Sequence, residues 1–137
     1  MSYHALADAL GITEPLDDPN LIEMTRRGLP AAAVDTLAGQ LGISMNEMSR
    51  YLHVSHRTLL RNKGKTLDTH LSDHLVTVGK VFARCVEIFR SPDKASRWLK
   101  SPLPALGNAP PMDLLDTTTG ATMVMNLLGR IEQGVYS

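Results

Sequence analysis

The 137-residue chain contains a single cysteine, Cys85, so it cannot form an internal disulfide. This excludes a secreted scaffold held by disulfides and any zinc site built on cysteine pairs. No apolar run approaches the roughly 20 residues that a membrane span needs. The first eight residues lack the basic start and apolar middle of a signal peptide. These absences predict a soluble protein of the reducing cytoplasm with no membrane contact.

The chain also lacks net charge, because 14 Lys and Arg residues balance 14 Asp and Glu residues. This excludes a histone-like protein that holds nucleic acid by its average charge. The charges are unevenly placed, however: residues 1–49 carry −5, residues 50–65 carry +5 with no acid, and residues 66–137 carry zero. The acid-free basic window indicates a local nucleic-acid contact, with an ordinary solvated surface as the alternative.

Strand-like alternation is hard to find, and aromatic residues make up only 4% of the chain. Apolar residues instead recur at three- and four-residue spacing, most clearly from Leu67 to Phe89, which predicts one helix of more than twenty residues. The last helix is predicted to begin at Thr119 and to carry Met123 on its apolar side. The sequence therefore predicts an all-α fold built around one long central helix.

Residues 44–62 fit a helix-turn-helix. Ser44 and Ser55 are N-cap candidates, each before a helix of about eight residues, and His53 occupies the turn where glycine is usual. Leu59 and Leu60 are expected to pack against the first helix. The basic window falls on the second helix, which enters the major groove in such motifs. The residues predicted to contact DNA are Arg50, Ser55, His56, Arg57, Thr58, Arg61, Lys63 and Lys65.

No catalytic constellation accompanies the Ser, His and Asp residues, and no phosphate-binding loop is present, so neither enzymatic activity nor a cofactor is predicted. His70 and His74 lie four residues apart on the long helix, but a convincing third metal ligand is missing, so no metal site is predicted. Cys85 lies in the apolar stripe, where a buried and inert thiol is expected.

The C-terminal end keeps large side chains almost to its last residue, whereas most chain ends are polar. Gly129 permits the close approach of another backbone. Val135 and Tyr136 have no evident place in a short tail, so they either fold back onto the core or dock into a partner.

From about Leu21 to Ser137 the chain resembles the Xre/MbcA/ParS antitoxins, the partners of RES-domain toxins. The similar segments are Leu41–Ser44, Val54–Leu59, Ser91–Ala95 with Trp98 and Leu99, Asn108 with Pro111–Thr117, and Leu128–Glu132 with Gly134–Tyr136. The resemblance implies an N-terminal extension at residues 1–20, an Xre-like helix-turn-helix module at 21–65 that represses its own operon, and a helical toxin-binding domain at 66–137.

The resemblance further implies a homodimer and a toxin that degrades NAD. In the family the C-terminal end of the antitoxin covers the toxin's active site. Carried over to this chain, the toxin-binding residues are Gly129, Arg130, Ile131, Glu132, Gly134, Val135, Tyr136 and Ser137. Two alternatives remain open: a free-standing helix-turn-helix transcriptional regulator without a toxin partner, and a protein-binding adaptor whose helix-turn-helix no longer binds DNA.

Overall fold

A computed structural model describes residues 3–134. Within this range the chain forms eight α-helices, two short 3-10 helices and no strand, so the all-α prediction is confirmed there. No helix among these residues is long and apolar enough to cross a membrane. The helices are α1 (Tyr3–Leu10), α2 (Asp18–Arg27), α3 (Ala32–Leu41), α4 (Met45–Leu52), α5 (His56–Arg61), α6 (Thr69–Phe89), α7 (Pro92–Lys100) and α8 (Thr118–Glu132), and the 3-10 helices are Pro104–Leu106 and Pro111–Leu114.

Helix α6 is the predicted long helix and lies at the centre of the molecule. It begins after Asp68, whose carboxylate accepts a hydrogen bond from the amide of Leu71 at 2.7 Å. The predicted apolar stripe is buried from Leu67 to Cys85, and its last member, the half-buried Phe89, packs against Trp98 of α7 with ring centroids 5.7 Å apart. Because α1, α2, α7 and α8 all pack against α6, the spacing of apolar residues in this one helix organises most of the core.

Helix α1 also belongs to this core. Leu6 and Leu10 are fully buried, and both approach Gly79 of α6 closely, at a point where a Cβ would stand 3.1 to 3.3 Å from their side chains. A glycine inside a helix costs conformational stability, and here it permits the close packing of two helices. The N-terminal extension is thus packed against the rest of the chain from Tyr3 onward.

Hydrogen bonds join the helix-turn-helix region to the helices that follow it. The amide of Leu29 donates to the buried hydroxyl of Ser72 at 2.9 Å, and the amide of Leu67 donates to the carbonyl of Leu29 at 2.8 Å. Farther along, Ser96 and Lys100 of α7 both donate to the carbonyl of Leu41 at the end of α3. These bonds satisfy backbone groups at helix ends, so the two regions share one core.

Two predictions about the last helix are wrong. Helix α8 begins at Thr118, because the hydroxyl of Thr117 accepts from the amide of Gly120 and caps it. Met123 is 46% exposed, whereas Val124 is fully buried. Successive residues are rotated by about 100° on a helix. The backbone of Gly120 is pressed against the carbonyl of Leu114, which fixes the rotation of α8 and turns Met123 outward.

Candidate nucleic-acid interface and the C-terminal helix

The predicted helix-turn-helix is formed by α4 and α5. The hydroxyl of Ser44 accepts from the amide of Glu47 at 3.1 Å, and the hydroxyl of Ser55 accepts from the amide of Thr58 at 3.0 Å, so both predicted N-caps are confirmed. Helix α5 has six residues, two fewer than expected. It ends early because the chain turns sharply through Gly64 to a backbone bond between Lys65 and Ala31.

Apolar packing holds the two helices together, with Met48, Leu52 and Leu59 buried between them and the core. The expectation for Leu60 is wrong, because its side chain is 61% exposed. Leu59 and Leu60 are about 100° apart around α5. Because Leu59 faces α4 and the core, Leu60 points away from them. An exposed leucine on the recognition helix is a candidate contact that the sequence reasoning missed.

His53 ends α4 in the left-handed conformation, with φ 57° and ψ 39°. Glycine adopts this conformation without strain, whereas histidine needs compensating contacts. The Nε2 atom of His53 lies 3.6 Å from Oδ2 of Asp116, and its ring stacks on that of His74 at 6.3 Å between centroids. The turn of the helix-turn-helix therefore touches both α6 and the residue before the cap of α8.

The basic side chains of the window are all exposed, and none of them takes part in a salt bridge within residues 3–134. Their charge is therefore available to phosphate groups, the main source of affinity for DNA. Two of these basic side chains lie on α5, two follow it, and Arg50 lies in the last turn of α4. They are Arg50, Arg57, Arg61, Lys63 and Lys65.

The hydroxyls of Ser55 and Thr58 already interact with each other at 2.8 Å, in addition to the capping bond. One hydroxyl proton is used in that contact, so the pair keeps one proton for a base edge or a phosphate. His56 is half-buried beside a cavity of about 350 Å³ whose lining includes Met45 and Leu59. Of the four residues predicted to read sequence, Ser55 and Arg57 are exposed, and Arg57 has the longer side chain.

At the other candidate site, the end of α8, Arg130, Glu132 and Gly134 are exposed, and Gly129 and Ile131 are half-buried. The carboxylate of Glu132 accepts a hydrogen bond from the guanidinium of Arg84 on α6, which raises the pKa of Arg84. This intramolecular partner of Glu132 was not foreseen. Three of the predicted toxin-binding residues, Val135, Tyr136 and Ser137, lie outside the described residues.

The remaining titratable groups of interest lie along α6. Within residues 3–134 no three His, Cys, Asp or Glu side chains are arranged to hold a metal ion. His74 is half-buried. Its pKa is lowered mainly by desolvation and, to a smaller extent, by the charge of His53. Cys85 is buried as predicted, and burial raises the pKa of its thiol far above the usual range, so it is a poor nucleophile.

Two protein-family models match the chain. The Antitoxin Xre-like helix-turn-helix domain matches residues 21–78, and the Antitoxin Xre/MbcA/ParS C-terminal toxin-binding domain matches residues 85–134. The first covers most of α2, all of α3 to α5 and the start of α6, and the second covers the end of α6 with α7 and α8.

Curated relatives are similar over most of the chain. A protein named Antitoxin Xre from Photorhabdus laumondii subsp. laumondii is 35% identical over 124 residues, which cover 87% of this chain and 82% of that protein. An Antitoxin Xre from Yersinia enterocolitica is 30% identical over 85% of this chain and 81% of its own length. The Prs ADP-ribosylating antitoxin from a Sphingobium strain is 26% identical over 94% of this chain and 86% of its own length.

Proposed function

Because the chain belongs to the Xre/MbcA/ParS family of antitoxins, we propose that it neutralises a RES-domain, NAD-degrading toxin by covering the toxin's active site with its C-terminal segment. We further propose that it acts in the cytoplasm as a homodimer and represses its own operon by binding operator DNA. In both roles the chain works by binding and is not itself an enzyme.

Support comes from the placement of the two matched domains on two different exposed surfaces. The helix-turn-helix match includes the basic window with its unpaired cations, and the toxin-binding match ends at Gly134, beyond the exposed side chain of Arg130. One surface suits phosphate and the other suits a protein partner. A protein with two such surfaces can link neutralisation of a toxin to control of transcription.

The class of toxin is supported by the resemblance and by one relative. The Sphingobium protein is named for ADP-ribosylation, a reaction that consumes NAD. We take an NAD-consuming toxin to be the partner here as well. In this proposal Tyr136 supplies a large anchor at the centre of the interface, and Arg130 pairs with an acidic group of the toxin.

Operator recognition is assigned to α5. Arg57 is placed at a base edge, where it would bond guanine, and Arg61, Lys63 and Lys65 are placed on phosphates. The exposed Leu60 is added to the predicted set, because a leucine side chain suits the methyl group of thymine. A dimer would present two such helices, so a chain of zero net charge would still gain affinity at a two-fold operator.

Co-expression with the product of the neighbouring gene tests the toxin role. The full chain should restore growth and cellular NAD, whereas a chain that ends at Gly129 should restore neither. Asn126→Ala, an exposed position one turn earlier on α8, is the control and should behave as the full chain. Thermal melting of the truncated chain establishes that it is folded. Rescue by the folded truncated chain would rule out occlusion by the C-terminal segment, and a harmless neighbouring product would favour the free-standing regulator.

Titration with the DNA upstream of the gene tests the operator role. The double variant Arg57→Ala, Arg61→Ala should lose about 10- to 100-fold in affinity, and the slope of affinity against salt should fall by about one phosphate contact, that of Arg61. Arg97→Ala, an exposed arginine on α7, is the control and should bind as the unmodified protein does. Unchanged affinity and an unchanged slope in the double variant would remove the role assigned to α5.

A further inference from the structure

A contact between distant parts of the chain joins the turn of the helix-turn-helix to the start of α8. His53 lies between Asp116, 3.6 Å from its Nε2 atom, and the stacked ring of His74. His53 lies within the basic window, but neither His53 nor Asp116 is among the proposed DNA-contacting or toxin-binding residues. It connects the two regions for which different binding partners are proposed.

Asp116 is held in a fixed place by its neighbours. The next residue, Thr117, caps α8 through the amide of Gly120, and Gly120 is pressed against the carbonyl of Leu114 so closely that a Cβ there would overlap it. The same stretch lies against α6, because Leu115 and Asp116 line one cavity together with His74. A carboxylate on so constrained a segment is a suitable anchor for a segment that is held by fewer contacts.

That segment is the turn together with α5. Helix α5 has six residues and one buried side chain, Leu59, and it follows a histidine in the left-handed conformation. Histidine, unlike glycine, has a Cβ that disfavours the left-handed conformation. Contacts of its ring therefore help to hold the turn.

We propose that Asp116 is a positioning residue for the recognition helix: it holds the imidazolium of His53, and with it α5, in the orientation that binds operator DNA. The proposal rests on the DNA-binding function proposed above. The contact is an ion pair only while the imidazole carries its second proton, so operator binding should be stronger at acidic than at alkaline pH.

The other titratable groups near His53 are consistent with stronger operator binding at lower pH. From α6 and its cap they are Asp68, His70 and His74, and from the start of α8 Asp116 alone. His74 has its pKa lowered by burial and by His53, and its Nε2 atom has no hydrogen-bond partner. The lowered pKa favours the neutral form of His74, so His74 competes little for the charge of Asp116.

The expected effect is modest, because the side chains of His53 and Asp116 are 62% and 41% exposed. Exposed ion pairs contribute little in general, and a contribution of the usual size changes affinity by about two- to five-fold. Such a change is measurable when variants are compared under identical conditions.

The test is a fluorescence titration of the upstream DNA at about pH 6 and about pH 8, at constant ionic strength. The unmodified protein should gain about two- to five-fold more affinity at the lower pH than Asp116→Asn gains. Asp116→Glu should restore part of this gain. Asp113→Asn removes the same charge three residues earlier, on the 3-10 helix, and should match the unmodified protein. Protonation of His56 affects all variants alike, so the difference between variants isolates Asp116.

A readout without DNA separates the two proposals. At about pH 6, amide hydrogen exchange across residues 53–61 should be faster in Asp116→Asn than in Asp113→Asn. If the protein binds the DNA, and Asp116→Asn keeps both the full pH ratio and the slow exchange, the positioning role is wrong while the DNA role stands. If no variant binds the DNA, the DNA role is wrong, and unchanged exchange would then overturn the positioning role as well.

Discussion

Helices α5 and α8 both carry proposed contacts, but they are held in the molecule by different forces. Helix α8 has fifteen residues, with Val124, Leu127 and Leu128 almost fully buried, and its rotation is fixed by the contact at Gly120. Helix α5 has six residues and buries only Leu59, so its cap, the left-handed turn residue and exposed polar contacts make up a larger share of what holds it. Substitutions that disturb buried packing lower the free energy of unfolding much more than substitutions that remove exposed polar contacts. The two helices should therefore differ strongly in their sensitivity to substitution.

The largest effect is expected at the contact that fixes α8. Gly120→Ala would place a methyl group on the carbonyl of Leu114, so the helix or the preceding turn must move. We expect a loss of about 3–5 kcal/mol in the free energy of unfolding, or failure to fold. Gly129→Ala is the matched control, because a Cβ there meets nothing within 4 Å. It should raise stability by up to about 1 kcal/mol. Equal results for the two glycines in urea unfolding would contradict steric control of α8.

A smaller loss in the free energy of unfolding is expected at the hydrogen bond between Leu29, which precedes α3, and Ser72 on α6. Ser72→Ala removes the buried acceptor of the Leu29 amide, which leaves a backbone donor without a partner and costs about 1–3 kcal/mol. Ser49→Ala is the control, because this buried serine only donates to the carbonyl of Asn46 within its own helix. It should cost less than about 1 kcal/mol. If chemical unfolding gave the two variants the same loss in the free energy of unfolding, the hydrogen bond between Leu29 and Ser72 would stabilise the protein no more than a bond within one helix.

Features encoded by neighbouring residues could be predicted from the sequence. The stripe of α6 repeats within one helix, and the caps Ser44 and Ser55 bond amides three residues away, so both follow from local spacing. The helix-turn-helix is a sum of such local signals, and it was found for that reason.

What the sequence did not reveal depends on how helices face one another. Glu132 meets Arg84 across 48 residues, and His53 meets Asp116 across a still longer separation. The exposure of Leu60 and Met123 follows from the rotation of α5 and α8, which tertiary contacts fix. An apolar residue next to another apolar residue gives no local sign of which one is buried.

A third prediction compares the caps of the two helices. Ser55→Ala and Thr117→Ala each remove an N-cap acceptor, so each should cost about 1 kcal/mol in global stability. Only Ser55→Ala should also speed amide exchange across its own helix, because α5 has little packing to hold it. Equally slow exchange in α5 and α8 would show that α5 is held more firmly than its contacts indicate.

The smallest expected effect is the dependence of stability on pH through His74. Burial and the charge of His53 lower the pKa of His74 in the folded protein below its ordinary value of 6.5. The unfolded chain therefore binds the proton more readily, and stability is lost as the pH falls from above 6.5 toward the folded pKa.

His74→Gln should remove this part of the pH dependence, which amounts to no more than about 0.5 kcal/mol because solvent screens a half-buried site. His70→Gln, an exposed histidine one turn earlier on α6, should leave most of it in place, because the charge of His70 is a smaller cause than burial and His53. Urea midpoints at about pH 7.5 and about pH 5.5 compare the three proteins. If His74→Gln kept the full pH dependence, the contact between His53 and His74 would contribute nothing to the pH dependence of stability. The difference between α5 and α8 would then come from packing alone.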